Sequence, residues 1–346
     1  MTVRLGRSAV VSDTGRRRRR NEDSYVCEPP LFAVADGMGG AQAGEVASGL
    51  AAAVLAEADG DELREERIIE LIQEANRRVF KRSNEDPSAS GMGTTMTVAV
   101  TGGDGKVLIG HVGDSRAYRI RGGTLEQLTK DHSLVGELMR SGKLSPEEAE
   151  THPQRSVITR AVGTEPDVDV DIFTVDTEAG DVFLLCSDGL TDMVPDDAIQ
   201  SLLSQGEVDL EGVARSLVEA ANTSGGEDNI TVLVFEIVDS GAHVEDTVAM
   251  PAAETAAVVA AADDEDTLSG LDPVPAVDTA VVSAAEIEEH LATTGATTVE
   301  RPTIERPSEA PTVERPAVPR RRLGPLILLV LLLATIAVLV VWGLYR

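Results

Sequence analysis

Aromatic side chains stop at Phe235 and do not return until Trp342, and that break decides which part of the chain can fold. From about residue 241 to 319, Ala, Thr, Glu, Asp and Pro dominate. A stretch so poor in bulky apolar groups cannot bury enough surface to offset its chain entropy, so 241–319 reads as a disordered acidic linker. The near-repeats Thr298-Val-Glu-Arg-Pro, Thr303-Ile-Glu-Arg-Pro and Thr312-Val-Glu-Arg-Pro are too short to pack and read as an extended spacer. Ser283 to Glu286 has the spacing of a capping box before a short transient helix.

Beyond the linker, Leu323 to Tyr345 is apolar almost throughout and carries no charge. About 23 residues at a ~1.5 Å rise extend roughly 35 Å, enough for a ~30 Å hydrocarbon layer. The expectation is a basic flank and a single transmembrane helix over 320–346, with the span itself at 323–345. Arg320, Arg321 and Arg322 precede the span and only Arg346 follows it, a bias that keeps the preceding domain in the cytoplasm, at the cell membrane. No apolar leader precedes that domain, which argues against secretion.

Residues 1–240 have the composition of a globular domain mixing strands and helices. Apolar runs at Leu31–Ala35, Thr95–Val100, Val107–Val112, Val182–Cys186 and Ile230–Phe235 predict strands. Helices are expected at Gly44–Ala58, Glu62–Lys81, Leu134–Ser141, Asp196–Leu203 and Leu210–Thr223. The 346 residues include 59 acidic and 30 basic, a net charge of −29, which argues against nucleic-acid binding because phosphate backbones are repelled. Cys27 and Cys186 lie far apart with no C-x-x-C spacing, so neither a disulfide framework nor a thiolate zinc site is expected, and a reducing compartment fits. Cys186 ends an apolar run and reads as a small core residue.

Carboxylates fall where the apolar runs end. Asp36-Gly37 follows Leu31–Ala35, Asp114 follows Val107–Val112, Asp188-Gly189 follows Val182–Cys186, Asp228 precedes Ile230, and Glu22-Asp23 opens a further short run. One Asp-Gly is an ordinary turn; the same pattern at several strand ends places carboxylates where one sheet edge could gather them. Like charges a few ångströms apart raise one another's pKa or demand a cation. Oxygen donors with no Cys or His among them suit Mg²⁺ or Mn²⁺ better than Zn²⁺. Five arginines, Arg16 to Arg20, abut Glu22. Such a run could be a solvated surface, a patch for anionic lipid or a phosphate clamp, and its position favours at least one arginine facing the site.

The ordered set Asp13-x-Gly15-x-x-Arg18-x-x-Asn21-Glu22-Asp23-Ser24, Ala35-Asp36-Gly37-Met38-Gly39-Gly40, Gly91-Met-Gly-Thr94-Thr95, Gly113-Asp114-Ser115-Arg116, His152-Pro-Gln-Arg-Ser156, Cys186-Ser-Asp188-Gly189 and Glu227-Asp228-Asn229 resembles the metal-dependent serine/threonine phosphatases of the 2C type. It is most similar to bacterial membrane-tethered members, over about Arg4 to Val238. The resemblance implies an α+β fold, a four-layer α-β-β-α sandwich of two antiparallel sheets. It also implies two Mg²⁺ or Mn²⁺ ions and a third, weaker one. Asp36 would bridge two of them, with the Gly37 carbonyl on one, Asp188 and Asp228 on the other and Glu22 acting through water. Asp114, with Asp188 and with help from Ser156, would hold a third, Arg18 would bind phosphate, and Asp23 would fix waters. A slip in the arginine run would substitute Arg17 or Arg19 for Arg18. Ala41 stands where many bacterial members carry a His. Residues 130–160 resemble a mobile flap, in which His152 reads as a structural histidine or a substrate contact.

The expected activity is metal-dependent hydrolysis of phosphoserine and phosphothreonine in proteins by an activated water. The expected partners are phosphorylated proteins, membrane Ser/Thr kinases and their substrates foremost, because tethering raises the effective concentration of neighbours. A phosphatase-like binding scaffold without turnover and an anionic-lipid sensor built on the arginine run are the alternatives.

Overall fold

The structure, a computed structural model, describes residues 3–39, 43–58, 63–102, 104–204, 209–241 and 280–281. The chain divides into two units, Met1–Ala296 and Thr297–Arg346, and every described residue belongs to the first. Ala41, the expected membrane span and the expected linker apart from its first residue, Gly241, and Ala280–Val281 lie outside the described residues, among which no helix is long and apolar enough to cross a membrane.

In chain order the strands are β1 (Val3–Asp13), β2 (Asp23–Glu28), β3 (Leu31–Met38), β4 (Gly93–Thr94), β5 (Met96–Thr101), β6 (Lys106–Val112), β7 (Arg116–Arg121), β8 (Thr124–Gln127), β9 (Val157–Ile158), β10 (Asp171–Asp176), β11 (Val182–Cys186), β12 (Ile230–Asp239) and β13 (Ala280–Val281). The helices are α1 (Ala43–Ala56), α2 (Glu65–Glu85), α3 (Leu134–Arg140), α4 (Pro146–Glu150), α5 (Asp188–Thr191), α6 (Asp196–Leu203) and α7 (Leu210–Ser224). One antiparallel sheet runs β1-β12-β11-β7-β8; the other runs β10-β6-β5-β3-β2, with β4 beside β3. β13 pairs in parallel with β9.

The apolar runs are continuous rather than alternating because both faces of each central strand are covered. On β3, Leu31 and Ala33 pack toward α1 and α2, whereas Phe32 and Val34 face the other sheet. On β11, Val182, Leu184 and Cys186 lie under α5, α6 and α7 while Phe183 and Leu185 point between the sheets. Phe235 stacks there on Phe32 at 4.5 Å and on Phe183 at 5.0 Å, so aromatic rings bridge the two sheets. The layers are thus helix, sheet, sheet, helix, as the resemblance implied. Both cysteines are free, and buried Cys186, its thiol pushed up to about 12 mainly by burial, is the core residue its position indicated.

The five expected helices appear within a few residues of their anticipated ends. β1 was not legible as a strand: its residues are only half-buried and its partner, β12, lies more than 200 positions away, with Asp13 opposite Ile230.

Candidate active site

A cleft of about 280 Å³ opens where the ends of the two sheets meet, lined by Arg18, Glu22, Asp36, Asp188 and Asp228 together with Gly37, Met38, Gly39, Gly91, Thr95 and Ile158. Each acid arrives from a different place. Asp36 lies near the end of β3, and register sets it opposite Asp23 on β2. Asp188 begins α5 one residue past β11, and Asp228 lies one residue short of β12, the antiparallel neighbour of β11, so both stand at one edge.

The backbone around Asp36 is locked by the Gly91-x-Gly-Thr-Thr motif. Its N–H donates to Thr95 Oγ1 at 2.9 Å, and its carbonyl accepts from the Thr94 hydroxyl at 2.8 Å and from the Thr95 N–H at 2.9 Å. Gly37 packs against Gly44 of α1: a Cβ on Gly44 would sit 2.6 Å from the Gly37 carbonyl oxygen and 2.9 Å from the Glu22 carboxyl carbon. Only hydrogen at both positions lets the helix approach this closely.

Asp23 lies behind the cleft. One carboxylate oxygen accepts from the Ser187 hydroxyl at 2.8 Å and the Thr231 hydroxyl at 2.6 Å, joining β2 to the β11 and β12 ends. Asp114 follows Gly113 (φ +112°) and is buried. Asp192, one helical turn past Asp188, belongs to the same acidic group, since its charge raises both Asp114 and Asp188. Sequence reasoning missed it; the i, i+4 spacing from Asp188 was the available signal. Asn229 stood in a motif without a role; its side chain accepts from the Glu22 N–H at 2.7 Å and donates to the Thr14 and Arg20 carbonyls, both at 2.9 Å.

Ser156 is half-buried in the flap and does not line the cleft. His152 accepts from the Gln154 N–H at 3.2 Å, the contact of a structural turn residue, while Ile158 carries the flap to the cleft wall. Of the arginine run it is Arg18 that lines the cleft, its Nη2 donating to Asp228 Oδ2 at 2.6 Å.

Loss of solvent, and then mutual repulsion, dominates the electrostatics. Burial raises Asp36 and Asp188 well above the usual carboxylate range, and neighbouring acids push them further: Asp23 foremost for Asp36, Asp114 foremost for Asp188. Burial likewise lifts Glu22 to about 7, Asp114 to about 7 and Asp23 to about 6. Burial pulls Arg18 down, but Asp228 together with Glu22 and Asp36 holds it above its ordinary value.

Divalent ions fit this donor set. One oxygen each of Asp23, Asp114 and Asp188 is buried with no hydrogen-bond partner, a cost that a cation would remove. No group of three acidic, His or Cys side chains among the described residues is already arranged to clasp one ion. Asp228 has both oxygens engaged, by Arg18 and by the Asn229 N–H at 2.8 Å.

A cleft in which acids outnumber the single guanidinium, at the ends of two stacked antiparallel sheets, is the arrangement expected of a metal-dependent phosphohydrolase. The protein phosphatase 2C family model matches residues 17–232. The serine/threonine phosphatase stp of Listeria welshimeri is 42% identical over 238 residues, covering 65% of this chain and 93% of that protein. The serine/threonine protein phosphatase PstP of Mycobacterium tuberculosis is 43% identical over 236 residues, covering 67% of this chain and 45% of that one. A solved structure of the PstP catalytic domain in complex with two manganese ions superposes with a TM-score of 0.63 at 39% identity, covering 69% of this chain and all of that one. The chain belongs to the protein phosphatase 2C family, whose members use Mg²⁺ or Mn²⁺.

Proposed function

We propose that this phosphatase removes phosphate from phosphoserine and phosphothreonine in proteins by attack of water, acting at the cytoplasmic face of the cell membrane on Ser/Thr kinases and their substrates. The observation that carries the chemistry is the convergence of Glu22, Asp36, Asp188 and Asp228 on the one cleft that holds Arg18. A phosphate dianion cannot enter a site lined by those carboxylates against one guanidinium unless positive charge is added. Asp36, the Gly37 carbonyl, Asp188 and Asp228 would hold two divalent ions, with Glu22 reaching them through water and Asp114 with Asp188 at a third. Bound there, such ions supply Lewis acidity that activates water and neutralises phosphate oxygens.

The chain's own residues do the rest. Arg18 offers a planar pair of N–H donors to the phosphate oxygens, holding the ester in line for displacement. Asp23, fixed by Ser187 and Thr231, keeps an acceptor oriented behind the cleft. Thr94 and Thr95 hold Asp36 so that it need not reorganise during the reaction.

Release of phosphate from a phosphothreonine peptide, present with Mn²⁺ and abolished by chelator, is the test. Absence of turnover with Mn²⁺ at every pH would favour a binding scaffold instead. The apolar stretch at 323–345 supports tethering: the full chain should fractionate with membranes, and removal of 320–346 should release it with turnover of a soluble peptide unchanged. A truncated protein that stays with membranes would overturn the anchor.

A further inference from the structure

We propose that the arginine run selects substrates bearing a second anionic group, best a second phosphate, within a few residues of the phosphate being removed. This rests on the phosphatase reading above and adds the class of substrate.

The loop that carries the run is built rather than loose. The N–H groups of Arg16 and Arg17 both donate to the Gly226 carbonyl, at 2.7 and 3.1 Å. The Asn229 amide ties Thr14 to Arg20 across the loop. Gly15, at φ +79°, lies so close to the Asp228 carbonyl that a side chain there would collide with it. The five arginines are therefore sorted by backbone geometry. Arg18 turns inward to Asp228, and Arg20 reaches toward Glu45 on α1 at 3.7 Å. Arg16, Arg17 and Arg19 are exposed, and among the described residues their guanidinium groups meet no carboxylate.

In a chain of net charge −29, three exposed cations that form no ion pair among the described residues, next in sequence to the arginine of the cleft, form a local attractive field for anions. Consecutive Cα atoms are about 3.8 Å apart, and an extended peptide advances about 3.3 Å per residue. With the reacting phosphate on Arg18, a second anion one to three residues away lies within about 10 Å of it, a distance that the long side chains at the adjoining positions 16, 17 and 19 can span. Guanidinium forks match phosphate oxygens better than a lone carboxylate does. An anionic membrane is the weaker occupant, because a bilayer lying on these residues would cover the cleft mouth that Arg18 lines.

The test compares, with the full chain in detergent and Mn²⁺, one phosphothreonine peptide against versions carrying a phosphoserine or a glutamate two residues away. The doubly phosphorylated peptide should show a kcat/KM about five- to tenfold higher, as expected for one or two exposed ion pairs, with the glutamate peptide between. The advantage should shrink in 0.5 M NaCl, since exposed pairs are screened. Arg17→Gln/Arg19→Gln should bring the peptides to near parity through KM while leaving p-nitrophenyl phosphate turnover intact. Parity in the unmodified protein, with turnover intact, overturns the inference. Failure to hydrolyse any substrate, p-nitrophenyl phosphate included, sinks the phosphatase reading instead. A double variant that keeps its peptide preference but no longer responds to phosphatidylserine in the micelles assigns the run to lipid and overturns the proposal.

Discussion

At the scale of single residues, this site is held by groups whose favourable interactions are incomplete until a cation arrives. Asp36→Asn and Asp188→Asn each remove a charge with little change of volume. Activity should fall by roughly a hundredfold or more in either variant. The same substitutions relieve repulsion among Asp23, Asp114, Asp188 and Asp228, so the metal-free variants should melt no lower than the unmodified protein. Near-normal turnover in either variant would contradict the assignment. Asn229→Ala breaks three hydrogen bonds that join the β12 entry to the arginine loop and to Glu22. It should cost about 1–3 kcal/mol by denaturant titration, and it should raise KM because Arg18 is no longer positioned. Unchanged stability and KM would show that the loop is held elsewhere.

At the scale of elements, the decisive packing is α1 against the end of β3. Gly44→Ala forces the helix off the Gly37 carbonyl and should destabilise by about 1–3 kcal/mol, as over-packing does, with activity reduced alongside. Gly49, on the same helix, is the control, because a Cβ there meets nothing within 4 Å. Gly49→Ala should stabilise by roughly 0.5–1 kcal/mol and leave turnover alone. If both variants behave alike in thermal melts and assays, close backbone approach is not what Gly44 provides. The motif glycines and the strand-end acids were visible as a pattern in the chain. Their partners were not: Thr94 and Thr95 reach Asp36 from about 60 residues away, and Asp23 meets Thr231 from about 200. No local periodicity encodes such pairings.

At the scale of the whole molecule, stability should depend on pH through these carboxylates. The raised values of Glu22 and Asp114, both about 7, and of Asp36 and Asp188 mean that the metal-free fold binds more protons than the unfolded chain up to neutrality and beyond. Stability therefore falls as pH rises through that window, by at most about 1.4 kcal/mol per group per pH unit. Buried His111, lowered to about 3 by burial and by His132, and His132, lowered chiefly by burial, act in the opposite sense, because the unfolded imidazoles take up protons as pH falls through about 6.5. Between pH 6.5 and 8 this opposing contribution fades and the acids dominate. In EDTA the melting temperature should drop by several degrees across that interval, and Mn²⁺ should reduce the drop by binding the folded state. A flat or rising profile in EDTA would mean that the acids are more solvated than their burial implies.

Taken alone, the sequence determined that apolar runs form the central strands, that carboxylates recur at their ends, and which family the ordered motifs resemble. These are statements about composition and short-range spacing, which chain connectivity preserves. Only the tertiary structure decided that those ends meet in one cleft, that Arg18 rather than Arg17 or Arg19 lines it, that Asn229 holds the Glu22 backbone and Asp192 acts on Asp188, and that Ser156 is not among the lining residues. Such outcomes depend on pairings such as β1 with β12 and on the stacking of the two sheets, where residues hundreds of positions apart share the same few ångströms.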